Sequence, residues 1–139
     1  MIILDTNVIS EAAKAGVDPA VENWLNSQPI GTFYGTAITV GEILYGIERL
    51  PQGRRQDALH TDMQRLLDRY FGNRILAFDT EAAVAYSKLI AFAESRGRSI
   101  PMADGQIAAI AKVHGFTVAT RDTSPFQAAG VPVINPWAI

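Results

Sequence analysis

Hydrophobic and polar positions along the chain predict short strands that alternate with helices. The first four residues, Met1 to Leu4, are apolar and run unbroken into Asp5, which is typical of a strand buried on both faces. Four further short runs have strand-like composition. The predicted strands cover residues 1–4, 31–36, 75–78, 117–120 and 131–134. Because proline cannot donate to a strand ladder, Pro132 places the last of them at an edge of the sheet.

Between these strands, apolar residues recur at the three- and four-residue spacing of amphipathic helices. Six helices are predicted, over about 8–14, 19–28, 39–50, 54–70, 80–93 and 103–114. Thr6 or Asn7 is a suitable cap for the first helix, and Asp18 for the second. The helical stretch 39–72 is longer than one crossover between strands needs, so we expect part of it to form a projecting helical hairpin.

Strands that alternate with helices indicate an α/β fold, with a mostly parallel sheet of about five strands and helices on both faces. The predicted architecture is therefore a three-layer domain. A chain of 139 residues with 48% hydrophobic residues suits a single domain, 1–139, with one packed interior. The order of the strands does not follow from the pattern.

Composition excludes several classes of protein. The chain has no cysteine, so disulfides and thiolate metal sites are not available. It has no apolar run long enough to span a bilayer and no signal-peptide pattern, so we expect a cytoplasmic protein without a membrane partner. The net charge of -2 does not attract nucleic acid. A phosphate-bearing substrate would therefore need a local basic patch or a metal ion.

Four carboxylates fall at the ends of predicted elements on the same side of the sheet: Asp5, Glu42, Asp104 and Asp122. Each also has an ordinary explanation. Asp5 can cap the first helix, and Thr39 with Glu42 reads as a capping box. Asp104 can complement the positive end of a helix, and Asp122 can be a turn residue.

Convergence of the four acids would have a large electrostatic cost. At about 5 Å and an effective dielectric near 20, each pair repels by roughly 3 kcal/mol. Six pairs give on the order of 10–20 kcal/mol, which exceeds the net stability of a typical domain, ~5–15 kcal/mol. Such a cluster must protonate or bind a cation. Carboxylate oxygens alone suit Mg²⁺ or Mn²⁺, which can activate water against a phosphate.

Four stretches of the chain resemble, in order, the motifs of the PIN-domain family. They are ILDTNVISE at 3–11, TAITVGEILYG at 36–46, IPMADGQIA at 100–108 and HGFTVATRD at 114–122. The closing stretch GVPVINPW at 130–137 resembles the FitB/VapC branch in particular. Together these matches cover almost the whole chain, so the resemblance predicts a PIN-like fold.

The resemblance implies a toxin of a type II toxin–antitoxin pair. Such a toxin is a Mg²⁺- or Mn²⁺-dependent endoribonuclease that a small antitoxin holds inactive. The implied partners are an RNA substrate and a cognate VapB- or FitA-like antitoxin, through whose DNA-binding domain the pair contacts operator DNA. A homodimer, and a tetramer or larger assembly with the antitoxin, are also implied.

The resemblance also assigns roles to residues of this chain. The family's acidic quartet matches Asp5, Glu42, Asp104 and Asp122, and its supporting polar positions match Thr6, Asn7 and Thr120. Asp5 and Asp104 would hold the principal ion directly, and the other two acids directly or through water. Many relatives have asparagine at position 122. Many also have an acid where this chain has Pro125, which removes a possible ligand for a second ion.

Two other functions fit parts of the pattern. A haloacid-dehalogenase-type phosphatase also places an aspartate at the end of its first strand, but it needs a second acid two residues later, where this chain has Asn7. A catalytically inert PIN relative that only binds an antitoxin is the non-enzymatic alternative. The complete acidic quartet favours the enzyme.

Overall fold

The computed structural model describes all 139 residues and contains one five-stranded sheet. The strands are β1 (Ile2–Leu4), β2 (Phe33–Thr36), β3 (Ile75–Leu76), β4 (Thr117–Ala119) and β5 (Val133–Ile134). All neighbours are parallel, in the order β3-β2-β1-β4-β5. This confirms the predicted α/β class and the edge position of β5.

Seven α-helices surround the sheet. They are α1 (Thr6–Ala12), α2 (Pro19–Ser27), α3 (Ala37–Glu48), α4 (Arg54–Tyr70), α5 (Thr80–Ser95), α6 (Met102–His114) and α7 (Ser124–Ala128). A short 3₁₀ helix, Pro136–Ala138, follows β5. The sequence analysis missed α7 and the 3₁₀ helix because neither is long enough to show a helical period. No helix combines the length and the apolar character needed to cross a bilayer.

Successive residues of β1 bury opposite faces of the sheet, which produces two hydrophobic cores. Ile2 and Leu4 belong to the core that includes residues of α1 to α4, and Ile3 belongs to the core formed with α5, α6 and α7. Side chains of a strand alternate between faces, so a run without polar residues is what a central strand requires. The three-layer architecture is thereby confirmed.

The cap of α1 is one of several residues that the sequence offered, and the cap of α3 lies a few residues earlier than predicted. Asp5 caps α1, because its side chain accepts a hydrogen bond from the Thr6 N–H, so the ordinary explanation offered for Asp5 is confirmed and a cap at Thr6 or Asn7 is wrong. The cap of α3 is Thr36, whose hydroxyl accepts from the Thr39 N–H at 3.1 Å. The helix therefore starts before Thr39, and the capping box predicted for Thr39 and Glu42 does not form.

The predicted helical hairpin consists of α3 and α4, which pack against each other. Gln56, buried near the start of α4, donates to the carbonyls of Ile47 and Leu50 at 3.1 and 3.3 Å. These bonds tie the beginning of α4 to the end of α3. The apolar stripe of α4 contributes Leu67 to the core that also contains Ile43 of α3.

Candidate active site

Pairing of β1 with β4 brings two candidate residues together at the carboxyl edge of the sheet. Leu4 pairs with Ala119, and the Asp5 N–H donates to the Ala119 carbonyl at 3.0 Å. Asp5 and Thr120 are the next residues of their strands, so their side chains leave the same edge. Open α/β sheets bind ligands at this edge.

Asp5 is a buried carboxylate, 5% exposed, with a hydrogen bond to each oxygen. Its Oδ1 accepts from the Thr6 N–H at 2.8 Å, and its Oδ2 accepts from the Thr120 hydroxyl at 2.8 Å. Burial nevertheless raises the pKa of Asp5, because desolvation penalises the charged form and the negative charges of Glu42 and Asp122 add to it. The fold thus holds this carboxyl group in one orientation at an electrostatic cost.

Thr120 is fully buried and connects three parts of the site. Its hydroxyl donates to Asp5 and accepts from the Asn7 side-chain amide at 3.2 Å and from the Asp122 N–H at 3.1 Å. The Asn7 side-chain carbonyl in turn accepts from the Arg121 N–H at 3.2 Å. These bonds fix the loop after β4 against the start of α1.

Glu42 reaches the same site from α3. Its Oε1 accepts a hydrogen bond from the Thr6 hydroxyl at 2.7 Å. The side chain is exposed and serves no helix cap, so the ordinary explanation offered by the sequence does not apply. Thr6 therefore links the first and second predicted acids, through its N–H to Asp5 and its hydroxyl to Glu42.

Asp104 lies half-buried in the first turn of α6. Burial, followed by the negative charges of Asp5, Asp122 and Glu42, raises its pKa to about 6, and no hydrogen bond offsets this. The next residue, Gly105, lets α6 approach α5 closely, because a Cβ there would lie 3.0 Å from side-chain atoms of Ile90 and Tyr86. Asp104 is therefore held in place by helix packing.

Three of the four predicted acids line one pocket of about 440 Å³, namely Asp5, Glu42 and Asp104. Asp122 is exposed and does not line it, although its charge raises the pKa of both Asp5 and Asp104. No group of three or more histidine, aspartate or glutamate side chains is arranged to hold a metal ion directly. The site is thus an acidic pocket whose carboxylates interact through space.

Five residues that line this pocket were not predicted from the sequence: Ser10, Glu11, Lys14, Arg121 and Trp137. Glu11 accepts from the Lys14 ammonium group and from the Asp18 N–H, both at 3.1 Å. The hydrogen bond from Lys14 is the main reason that the pKa of Glu11 is lowered. Glu11 was visible as the residue four positions after Asn7, one helical turn along α1, and Arg121 as the neighbour of Asp122.

A parallel sheet with an acidic pocket at its carboxyl edge is the architecture that the chain shares with a known class of protein. The chain belongs to the PIN-domain family, whose model matches residues 2–131. Within that family it is 48% identical over 137 residues to VapC ribonuclease Y4jK of Sinorhizobium fredii, covering 99% of this chain and 98% of the relative. It is 44% identical to Toxin FitB of Neisseria gonorrhoeae, covering 99% of both chains.

Solved structures show the same relationship. A structure of FitAB bound to an IR36 DNA fragment has a chain that is 44% identical, with a TM-score of 0.93 over 100% of this chain and 97% of that one. A toxin–antitoxin complex from Klebsiella pneumoniae shares the fold at 21% identity and a TM-score of 0.73, with full coverage of both chains. The resemblance of the sequence to the VapC and FitB branch is confirmed.

Proposed function

We propose that this protein is a Mg²⁺- or Mn²⁺-dependent endoribonuclease toxin that hydrolyses RNA phosphodiester bonds at the acidic pocket. The observation that carries the proposal is the meeting of Asp5, Glu42 and Asp104, from three separate elements, around one pocket. The raised pKa values of Asp5 and Asp104 support it, because buried carboxylates held near other negative charges favour binding of a cation. The ribonuclease name of a 48% identical relative supports the choice of RNA.

The donor set of the pocket fits a hydrated divalent ion. Carboxylate oxygens are hard ligands, and Mg²⁺ usually keeps several waters while binding one or two carboxylates directly. A direct set of three acids is therefore not required. Of the four predicted acids, Asp5 and Asp104 are the more buried and would hold the ion, and Glu42 and Asp122 would hold its waters.

The residues of the pocket have distinct tasks in this proposal. A bound divalent ion would supply a nucleophilic water at neutral pH and neutralise charge on the phosphate. Thr6 and Thr120 keep the Asp5 carboxylate in one orientation. The side-chain amide of Asn7 donates to Thr120 and accepts from Arg121, which holds the loop after β4. Because it is an amide, it cannot serve as the second acid that a phosphatase of the haloacid-dehalogenase type needs. Hydrolysis of this kind does not use the ribose 2′-OH as nucleophile, so a preference for RNA must come from the walls of the pocket.

The same proposal includes an antitoxin. Structural relatives are a FitAB assembly on DNA and a toxin–antitoxin complex, which supports a cognate FitA- or VapB-like partner that inhibits the enzyme and carries the operator contact. A homodimer in the free state belongs to this proposal as well. Co-expression with a short open reading frame directly upstream should yield a stable complex without ribonuclease activity. A soluble upstream product that leaves the activity unchanged would contradict this part.

The activity is tested on total RNA with the purified protein, in Mg²⁺, in Mn²⁺ and in EDTA. We expect discrete cleavage products in either metal and none in EDTA. The Asp5→Asn variant, checked for an unchanged circular dichroism spectrum, should give none. Equal cleavage by wild type and variant would assign the activity to a contaminant, and a folded wild type without cleavage would favour the inert alternative.

A further inference from the structure

The acidic pocket also contains a cation that makes no ion pair. Four acidic side chains line the pocket against two basic ones, Lys14 and Arg121. Lys14 is paired with Glu11 at 3.1 Å. Arg121 has no carboxylate within 4.0 Å, since the only ion pairs of the chain are Lys14–Glu11 and His60–Glu48. Its charge helps to lower the pKa of Glu11, so the two residues interact electrostatically, but no carboxylate contacts the guanidinium group. Its N–H donors are therefore open to an anion from outside the protein.

An aromatic ring holds this guanidinium group in place. The Arg121 guanidinium carbon lies 5.1 Å from the centre of the Trp137 ring, in the range of a cation–π contact. Trp137 packs against the core that contains Ile2 and Leu4, and its backbone N–H donates to the Asn135 side-chain oxygen at 3.0 Å. The arginine is thus oriented by the protein rather than moving freely in solvent.

The backbone of Arg121 is tied to the acidic residues. Its N–H donates to Asn7, which donates to Thr120, which donates to Asp5, at 3.2, 3.2 and 2.8 Å. Four other arginines of the chain lie over aromatic rings, but none of them lines this pocket. Arg121 is the one basic residue of the pocket that lies over an aromatic ring and makes no ion pair.

We propose that Arg121, held over Trp137, is a substrate-positioning residue that binds a phosphate of the RNA strand next to the one that is hydrolysed. This rests on the proposed ribonuclease function for the identity of the strand and for the position of the hydrolysed phosphate, whereas the contact of Arg121 with a phosphate is tested without hydrolysis. A guanidinium group binds phosphate through paired N–H donors, and its fork is matched to phosphate oxygens. It offsets the repulsion that a polyanion meets at a pocket with more acids than bases.

The test compares Arg121→Gln with Arg96→Gln as a matched control. Arg96 lies 4.8 Å over the ring of Phe92 but does not line the pocket. The control therefore removes an arginine that also lies over an aromatic ring, but away from the acidic residues. Binding of a labelled single-stranded RNA is measured in EDTA over a series of salt concentrations, and cleavage is measured in Mg²⁺. Trp137→Leu and Arg121→Lys complete the set, and each variant is checked for its melting temperature.

We expect Arg121→Gln to weaken RNA binding on the order of tenfold, since a charge-assisted bond is lost. The slope of log affinity against log salt should fall by about 0.7, the value for one phosphate of a single strand. KM should rise and kcat should stay near its wild-type value. Arg121→Lys should restore the salt slope but not the full affinity, Trp137→Leu should be intermediate, and Arg96→Gln should equal wild type.

The outcomes separate this inference from the proposed function. Wild-type cleavage together with equal affinity, KM and salt slope for Arg121→Gln would overturn the role of Arg121 and leave the nuclease in place. A wild type that binds RNA through Arg121 but cleaves none in either metal would support the phosphate contact of Arg121 and overturn the nuclease, together with the position assigned to that phosphate. A wild type that neither binds nor cleaves RNA would overturn both.

Discussion

The two ends of the acidic pocket are built by different forces. At the edge of the sheet, Asp5 is 5% exposed and each of its oxygens accepts a hydrogen bond, from Thr6 and from Thr120. At the start of α6, Asp104 is half-buried and accepts none, and its pKa rises to about 6 through burial and the charges of its neighbours. At the first end the protein supplies hydrogen bonds that offset part of the cost of burial, although the pKa of Asp5 is still raised, whereas at the second end it supplies none.

This difference separates positioning from binding. Hydrogen bonds to a carboxylate compensate part of its desolvation, so Asp5 can keep one orientation without any ligand. Asp104 has only like charges around it and is relieved by a proton or by a cation. The fold therefore supplies a fixed ligand, Asp5, at one end of the pocket. At the other end, which we call the receptive end, Asp104 gains stability when it binds a proton or a cation. Substitutions at the two ends should consequently have different effects on cleavage and on stability.

The largest effect is expected at the fixed end. Asp5→Asn should lower the rate of RNA cleavage more than about 100-fold. Loss of a residue that hydrogen-bonds to a metal ligand typically lowers activity about 10–100-fold, and loss of the ligand itself should lower it further. The fold should survive, since asparagine is also a good helix cap. The measurement is initial cleavage rate in saturating Mg²⁺, with growth inhibition on overexpression as a second readout.

Asp18→Asn is the matched control for this change, because Asp18 caps α2 as Asp5 caps α1 and lies outside the pocket. It should retain wild-type activity. Full toxicity of the Asp5 variant, or equal losses in the two variants, would remove the basis for a special role of Asp5.

At the receptive end, Asp104→Asn should lower cleavage and at the same time stabilise the protein without metal. Because the folded-state pKa of Asp104 is raised to about 6, its contribution to stability declines as pH rises from about 4 to 6. In EDTA the variant should melt a few degrees higher than wild type at pH 7.5, and the difference should shrink toward pH 4.5. Saturating Mg²⁺ should reverse the order at pH 7.5. A variant less stable than wild type in EDTA at pH 7.5 would show that the charge of Asp104 is compensated.

Thr120→Val should leave the Asp5 carboxylate less firmly oriented. It removes the hydroxyl that donates to Asp5 and accepts from Asn7, so cleavage should fall about 10–100-fold and unfolding should cost about 1–3 kcal/mol less. Activity assays and urea denaturation measure the two effects. Thr120→Ser keeps the hydroxyl and should recover most of the activity. An inactive serine variant with a normal fold would mean that the hydroxyl is not the relevant group.

The smallest effect is expected for Asp122→Asn, less than about tenfold in cleavage rate. Asp122 is exposed and outside the pocket, its charge raises the pKa of Asp5 and Asp104, and in the proposal it reaches the ion only through water. Its contribution should therefore weaken as salt is added. A loss as large as that of Asp5→Asn would place Asp122 among the direct ligands.

Much of the fold follows from local pattern. The run from Met1 to Leu4 has no polar residue, and the structure places it as the central strand with a core on each face. Gly115 follows the last residue of α6 in the left-handed conformation that glycine favours, so the end of that helix was readable. The order of the strands was not, because it depends on pairing between residues far apart in the chain.

The composition of the site was only partly readable. Motif position identified Asp5, Glu42 and Asp104, which the structure gathers at one pocket. The capping box at Thr39 and Glu42 misled, because Thr36 caps the helix three residues earlier. The contact of Arg121 with Trp137 joins the loop after β4 to the last residues of the chain. The spacing of apolar residues within a single helix or strand cannot predict such a contact.

The most direct test of the account is the anomalous difference map of a crystal soaked in saturating Mn²⁺ near neutral pH. The account predicts one strong peak between the carboxylates of Asp5 and Asp104, with Glu42 at the distance of an intervening water. The same soak of the Asp104→Asn variant should give a weaker peak or none. An empty pocket in the wild type, or a peak bound only elsewhere on the molecule, would contradict the claim that these acids share a divalent ion.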